Sequence, residues 1–555
     1  MRREKKKSPV PMVMLVILLI AVIGSVGFCA DRFMPSKEQM DLSEYYGGLK
    51  DQEAALVMES GILEERGLVV QETGYIPLSV VNTYLNARFF WDEGENQILY
   101  ATPSELTRTP AQPEAGAEVY IKDGTVYLSI PFVGRYTDMD AFTRKDPGVI
   151  AIWLPKAGRQ KVTVQKGTAV RLKDGIKSPI LGNVVIGDEL YLLETQKDWM
   201  HVATKDGLTG YVQTKTVSTP FEENRERSFV KEEYSYYSQE APVVLAWHNV
   251  DIAFPEGNAY LNDMTANTPG LNVISPTWMR LHEDNSGNIH SIASAAYVEE
   301  AHGKGIKVWG LLDNFGDCST YEILSSTATR QNLIANLIRE AVSCNMDGIN
   351  IDLELLREET IPYLLEFLRE LFIECHRNGL VLSIDTPVPD VYYSFYDLSA
   401  QGEAVDYMII MGYDEHGYGD PPEPGSVASL PWVEEGVKEV TAQVPNERVI
   451  LAMPFYTRDW KTLSGTVSIS DISMNQQQEL VTANHAEIYW DKVLCQHVAT
   501  YEAEGASHKI WMEDAESIAE KTRLSRQYSL AGVGCWRLGQ EEAGIWQVIT
   551  DNLKE

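Results

Sequence analysis

The chain has 555 residues, more than one hydrophobic core serves, because single cores stop growing at roughly 250 to 300 residues. Its hydrophobic fraction of 44% and aromatic fraction of 10% exclude wholesale disorder. A formal net charge of -33 turns most of the surface against polyanions, so no nucleic-acid partner is expected.

At the N-terminus, Arg2, Arg3 and Lys5 to Lys7 precede an almost uncharged run from Pro9 to Ala30. That run is about long enough to cross a bilayer as a helix, and the positive-inside rule places the remainder of the chain outside the cytoplasm. Residues 1–30 are therefore expected to be a basic tail and a transmembrane anchor, giving a single-pass membrane protein with its bulk extracytoplasmic. The alternative is a cleaved signal peptide and secretion, but such peptides have a shorter apolar core, and Phe28-Cys29-Ala30 is a poor cleavage site.

Residues 31–157 contain two related stretches. One runs from Tyr75-Ile-Pro-Leu through Phe89-Phe-Trp-Asp to Gln97-Ile-Leu-Tyr, the other from Tyr127-Leu-Ser-Ile through Asp146-Pro-Gly to Val149-Ile-Ala-Ile-Trp. Each reads as an apolar segment, a short helix, a turn and an alternating strand, so a repeated α+β unit is expected. It resembles the stalk-like modules named from copper amine oxidase N-termini, which implies a spacer without metal chemistry.

Over residues 158–218 short strands recur at regular spacing with glycine turns, predicting a small all-β barrel. Trp199-Met-His-Val and Gly207-Leu-Thr-Gly-Tyr-Val resemble a bacterial SH3-like module, which implies attachment to the cell wall. Trp199 and Tyr211 fit either its core or a ligand-binding face. A charged, polar linker is expected over 219–241.

From residue 242 to 555 short apolar runs alternate with helical patterns. Eight strand candidates begin at Val243, Leu271, Lys307, Gly348, Leu380, Tyr407, Arg448 and Gly532, and predict a (β/α)8 barrel. The long gap from about Asp459 to Leu530 predicts an inserted subdomain. Active sites of such barrels lie at the C-terminal strand ends.

The fourth strand carries the chemistry. In Asp347-Gly-Ile-Asn-Ile-Asp-Leu-Glu354, alternation puts Asn350, Asp352 and Glu354 on one face and Ile349, Ile351 and Leu353 on the other. Two inward carboxyls at i and i+2 lie about 6.6 Å apart, and burying both as anions is costly, so a shared proton is expected. The coupling holds one carboxyl protonated near neutral pH, as cleavage of a glycosidic bond requires.

This strand resembles the Asp-x-x-Asp-x-Asp-x-Glu signature of family 18 glycoside hydrolases, of the spore-cortex-lytic N-acetylglucosaminidase type. The resemblance implies that Glu354 protonates the glycosidic oxygen. It also implies that Asp352 orients the substrate's 2-acetamido group, whose carbonyl attacks the anomeric carbon with retention of configuration. Asn350 stands where the family more often has Asp. Its amide is expected to donate to Asp352, leaving Asp352 more readily ionised than beside a third carboxylate.

Met411-Gly-Tyr413-Asp414 resembles the family's Met-x-Tyr-Asp motif, which implies that Tyr413 bonds the acetamido carbonyl while Met411 and Asp414 line the site. Trp536 matches the tryptophan beneath the reacting sugar. Asp347, Trp278, Asp313, Asn314, Tyr456 and Arg458 are further candidates for substrate contact.

No metal or cofactor is expected: His248 and His416 lack a second ligand at metal spacing, and six scattered cysteines form no CxxC pair. The expected function is hydrolysis of N-acetylglucosamine-containing glycans, peptidoglycan first. The alternatives are chitin oligosaccharides as substrate, or a catalytically silent glycan-binding envelope protein.

Overall fold

The computed structural model describes residues 10–59, 61–114, 116–224, 229–419 and 421–554. The chain divides into two compact units, residues 1–99 with 108–231 and residues 100–107 with 232–555.

The predicted anchor lies partly outside the described residues, as do the basic residues before it. A helix runs from Val10 to Phe33. Among the described residues no helix is long and apolar enough to cross a membrane, so the expected transmembrane helix is not supported.

In the first unit, a hairpin, a helical segment and a second hairpin occur twice along the chain. Gly61–Val70 and Thr73–Pro77 lead through a helical segment over 78–85 to Phe90–Asp92, which pairs with Gln97, Ile98 and Leu99. Val119–Lys122 and Thr125–Ser129 lead through Ile130–Tyr136 to Asp140–Lys145 and Gly148–Trp153. The second helix starts where the Ser129 hydroxyl caps the Phe132 amide and proline fills its first turn.

A second, antiparallel sheet of seven strands lies between Gln160 and Glu222. Val162, Val170, Leu190, Met200, Val202 and Val212 form its core. Trp199 and Tyr211 alternate with Met200 and Val212 and so lie on the other face, half-buried, with Tyr211 stacked on His201 at 4.6 Å. The expected linker is partly structured: Phe221–Glu222 pairs with Gln160 and Lys161, and Tyr234 and Tyr236 pack on Phe372.

The second unit is a closed barrel of eight parallel strands. They are β1 (Val243–His248), β2 (Val273–Pro276), β3 (Lys307–Asp313), β4 (Gly348–Asp352), β5 (Val381–Pro387), β6 (Tyr407–Met411), β7 (Val449–Pro454) and β8 (Gly532–Trp536). β8 pairs with both β7 and β1, and β2 with β1 and β3, which closes the ring.

Alternation divides each strand between two cores. Ile349, Ile351 and Leu353 face the helices with Phe367, Leu368 and Leu371 of helix Ile361–Arg377. Val243, Leu245, Trp247, Trp309, Leu311 and Ile409 fill the barrel interior. The predicted insertion is a five-stranded antiparallel sheet from Tyr456 to Trp511, with helix Met474–Ala483 between its second and third strands.

Candidate active site

Strand register lines up three carboxylates. Asp313 ends β3 opposite Asp352 at the end of β4, and Asp385 on β5 lies one residue beyond the registered pair Ile351 and Ile384. Adjacent strands are about 4.8 Å apart, so three acidic side chains form a row at the barrel mouth. All three are nearly inaccessible to solvent. At about 5 Å, two full charges repel by roughly 3 kcal/mol even at an effective dielectric of 20, so the row cannot be fully ionised without compensation.

Two residues inward on β4 lies Asn350. Its Oδ1 accepts from Trp247 Nε1 and Ser275 Oγ, both at 3.0 Å, and its Nδ2 donates to Asp385 Oδ1 at 2.9 Å. Indole nitrogen is only a donor, so Trp247 fixes the amide's orientation. The amide therefore reaches Asp385, not Asp352 as expected from the strand alone. Asp352 Oδ1 is buried with no hydrogen-bond partner among the described residues.

Asp352 is held well above the usual carboxylate range by burial first, then by Asp385, Glu354 and Asp313. Asp385 is likewise raised, by burial and Glu354, against the opposing amide of Asn350. Asp385 thus sets beside Asp352 a carboxyl that β4 itself lacks at Asn350.

Glu354 lies just past the strand end, and its backbone is bracketed by Asn314. Asn314 Nδ2 donates to the Glu354 carbonyl at 2.9 Å, and its Oδ1 accepts from the Glu354 amide at 3.0 Å. Burial raises the Glu354 carboxyl, with Asp414 and Asp313 adding like charge.

The other candidates separate clearly. Tyr413 lies just past β6, and its hydroxyl is raised well above its usual value by burial and the charges of Asp385 and Asp352. Met411 ends β6 half-buried, and Trp536 ends β8 with its ring 5.9 Å from that of Trp247. Asp414 has a left-handed backbone, φ 70°, and accepts from Tyr456 Oη and Arg458 Nη2, each at 2.5 Å. Arg458 also donates to Asp471 from the inserted sheet at 3.0 Å. Asp313 takes a two-point bond from Arg280, at 2.5 and 3.0 Å.

Two expected contacts are corrected. Asp347 precedes β4 at the opposite end of the barrel, where it accepts from His302 Nε2 at 2.7 Å and the Val308 amide at 2.8 Å. Five residues of strand, about 16 Å, separate it from Asp352. Trp278 is wholly buried: its Nε1 donates to Asn258 at 2.7 Å and its ring meets Tyr297 edge-on.

Neither histidine singled out in the sequence stands alone. Buried His248 pairs with Tyr297 at 2.9 Å and is lowered to about 4 by burial and Arg537, and His416 Nδ1 donates to the Ser426 carbonyl.

Sequence reasoning missed Asp385, Ser275, Trp247 and Arg280. Asp385 had a signal: the fifth strand candidate stops at Ile384, and continuing the alternation from Ser383 gives Asp385 on the inner face.

The family model "Glycosyl hydrolases family 18" matches residues 274–541. The chain is 25% identical over 286 residues to the uncharacterized glycosylase YvbX of Bacillus subtilis, a match spanning 49% of the chain and 82% of that protein. It is 28% identical over 243 residues to the cortical fragment-lytic enzyme of Bacillus subtilis, over 42% of the chain but only 55% of that protein's length. In fold, it resembles the crystal structure of a chitinase from Chromobacterium violaceum with a TM-score of 0.50 at 24% identity, covering 57% of the chain and all of that structure. Residues 274–541, which take in β3 to β8 and the acidic side chains where β4 ends, thus form a family 18 glycosyl hydrolase domain.

Proposed function

We propose that this domain is a retaining hydrolase of N-acetylglucosamine-containing glycans, with peptidoglycan as its substrate. The observation that supports this best is the buried, unpartnered Oδ1 of Asp352 two residues before Glu354, at the open end of the barrel. A buried acceptor left without a donor is costly, and an acetamido N–H would satisfy it.

The steps rest on these residues. Glu354, protonated because burial and like charges raise it, gives its proton to the glycosidic oxygen. The acetamido oxygen displaces the leaving sugar at the anomeric carbon, so no protein nucleophile is needed. Tyr413 bonds that oxygen as it attacks, and Glu354 then takes a proton from the water that opens the ring. Trp536, half-exposed at the end of β8, offers an apolar face to the sugar's C–H groups. Asp414, held by Tyr456 and Arg458, presents a polar rim.

Peptidoglycan is favoured over chitin because one relative is named for lysis of cortical fragments. The seven-stranded sheet over 160–222 would hold the enzyme at the wall, with half-exposed Trp199 and Tyr211 as its contact face. Residues 1–30 would place it outside the cytoplasm, which fractionation of cells with and without that segment tests.

The test is reducing-end release from purified peptidoglycan and from chitin oligomers, wild type against Glu354→Gln. Release abolished by the substitution is expected. Equal rates of release would remove Glu354 as the acid and overturn this mechanism, no release by wild type from either glycan would leave only a glycan-binding barrel, and release from chitin alone would reassign the substrate.

A further inference from the structure

Asn350 leaves β4 with one ionisable group fewer than the family pattern, yet the barrel mouth does not lose the charge. It arrives from β5. Asp385 sits one register step above Ile384, level with Asp352, and takes the amide hydrogen of Asn350 on Oδ1 at 2.9 Å.

Trp247 Nε1 can only donate, so turning the Asn350 amide round would set two donors against each other and lose the bond to Trp247. Asp385 Oδ1 is therefore committed as an acceptor, which leaves Oδ2 for a proton. Ionisable groups reach the pair from every neighbouring element. They are Asp352 on β4 and Glu354 just past it, Asp313 from β3, which carries Arg280, and Tyr413 from beyond β6, while Asp414, carrying Arg458, acts on Glu354 and Tyr413. Both cations are spent on the outer carboxylates, and Asp352 and Asp385 have no ion-pair partner among the described residues.

We propose that Asp385 is a positioning residue for the reaction, sharing one proton with Asp352 in the place of the carboxylate that Asn350 lacks. The pair then carries a single negative charge. When an acetamido N–H docks on Asp352, the shared proton rests on Asp385 Oδ2 and Asp352 is the anion facing the substrate. As the acetamido oxygen attacks and the glycosidic bond breaks, positive charge grows on the new ring and is met by that anion. The pair's proton count is unchanged through the step, because the proton given to the leaving oxygen comes from Glu354. This rests on the hydrolase reading, but the pair can be probed without catalysis.

The full chain is compared with Asp385→Asn and with the relocated variant Asn350→Asp/Asp385→Asn in two measurements. In the first, kcat/KM against pH on N-acetylglucosamine oligomers should fall roughly 10²-fold in Asp385→Asn, with a changed acid limb, and recover in the relocated variant. In the second, thermal unfolding is tracked from pH 4 to 8. A carboxyl whose folded value is raised holds its proton in the fold and releases it on unfolding, so wild type should lose stability as pH rises. Asp385→Asn, with one such group removed, should lose less.

If Glu354→Gln is inactive while Asp385→Asn matches wild type in both measurements, the shared proton is overturned and the hydrolase stands. If wild type cleaves none of these glycans but the unfolding profiles differ as expected, the pair stands and the hydrolase reading falls. A relocated variant no better than Asp385→Asn would also overturn the proposal, since it returns a carboxyl to the neighbouring layer.

Discussion

Asn314 holds Glu354 by its backbone, not by its carboxyl, donating to its carbonyl at 2.9 Å and accepting from its amide at 3.0 Å. The remaining amide hydrogen of Asn314 goes to Thr320 Oγ1 at 3.1 Å, so the side chain is fully engaged at the end of β3. The proposed acid is thus aimed by its neighbour strand while its carboxyl stays free to turn toward a substrate.

Asn314→Ala should therefore lower kcat/KM by roughly ten- to a hundredfold through misplacement of Glu354, with a stability loss of about 1 to 2 kcal/mol. Steady-state kinetics and thermal unfolding on the same preparation separate the two. A Tm loss with unchanged kcat/KM would make the bracket purely structural.

Asp414 is one of two like charges that hold the Glu354 carboxyl up. Removing it in Asp414→Asn lowers the pH at which Glu354 loses its proton. The alkaline limb of the kcat/KM profile should move to lower pH, whereas a limb that stays in place would mean that Glu354 does not set it.

Asp347 belongs to the sequence signature but binds His302 and Val308 at the far end of the barrel. Asp347→Ala should cost about 1 to 3 kcal/mol of stability by freeing a buried amide and a histidine. Activity per folded molecule should match wild type when assayed well below Tm, and a specific loss of kcat would return Asp347 to the chemistry.

Glu513, wholly buried after the inserted sheet, accepts from Lys521 at 2.9 Å on both oxygens, from Gln496 at 2.7 Å and from Ser517 at 2.8 Å. Burial raises its carboxyl even against Lys521. Lys521→Met should destabilise the barrel by about 3 to 5 kcal/mol, since it strands a buried charge. The raised value means a proton held in the fold and released on unfolding, so the deficit should grow as pH rises above about 4 and shrink below it. Urea melts at pH 4.5 and 7.5 check the sign, and Lys521→Met/Glu513→Gln should recover part of the loss.

Residues alone make legible whatever depends on local periodicity. Alternation within β4 gives the inward direction of Asn350 and Asp352 without reference to any neighbour, because side chains on a strand repeat every two residues. Spacing of apolar runs likewise yields eight strands, and the unusual gap before Gly532 yields an inserted sheet. Motif and strand order also put Asp347 and Trp278 at the substrate, and both positions prove to serve the framework.

Tertiary structure decided the partners. Asp385 lies thirty-three positions beyond Asp352, and only strand register makes the two neighbours. Which atom of the Asn350 amide faces Trp247, which carboxylates receive Arg280 and Arg458, and that Asp352 receives neither all depend on closure of the ring. A pattern along one strand records which way a side chain points. The charge it meets there is set by strands the chain reaches only after folding, and charge interactions depend on distance in space, not on separation along the chain.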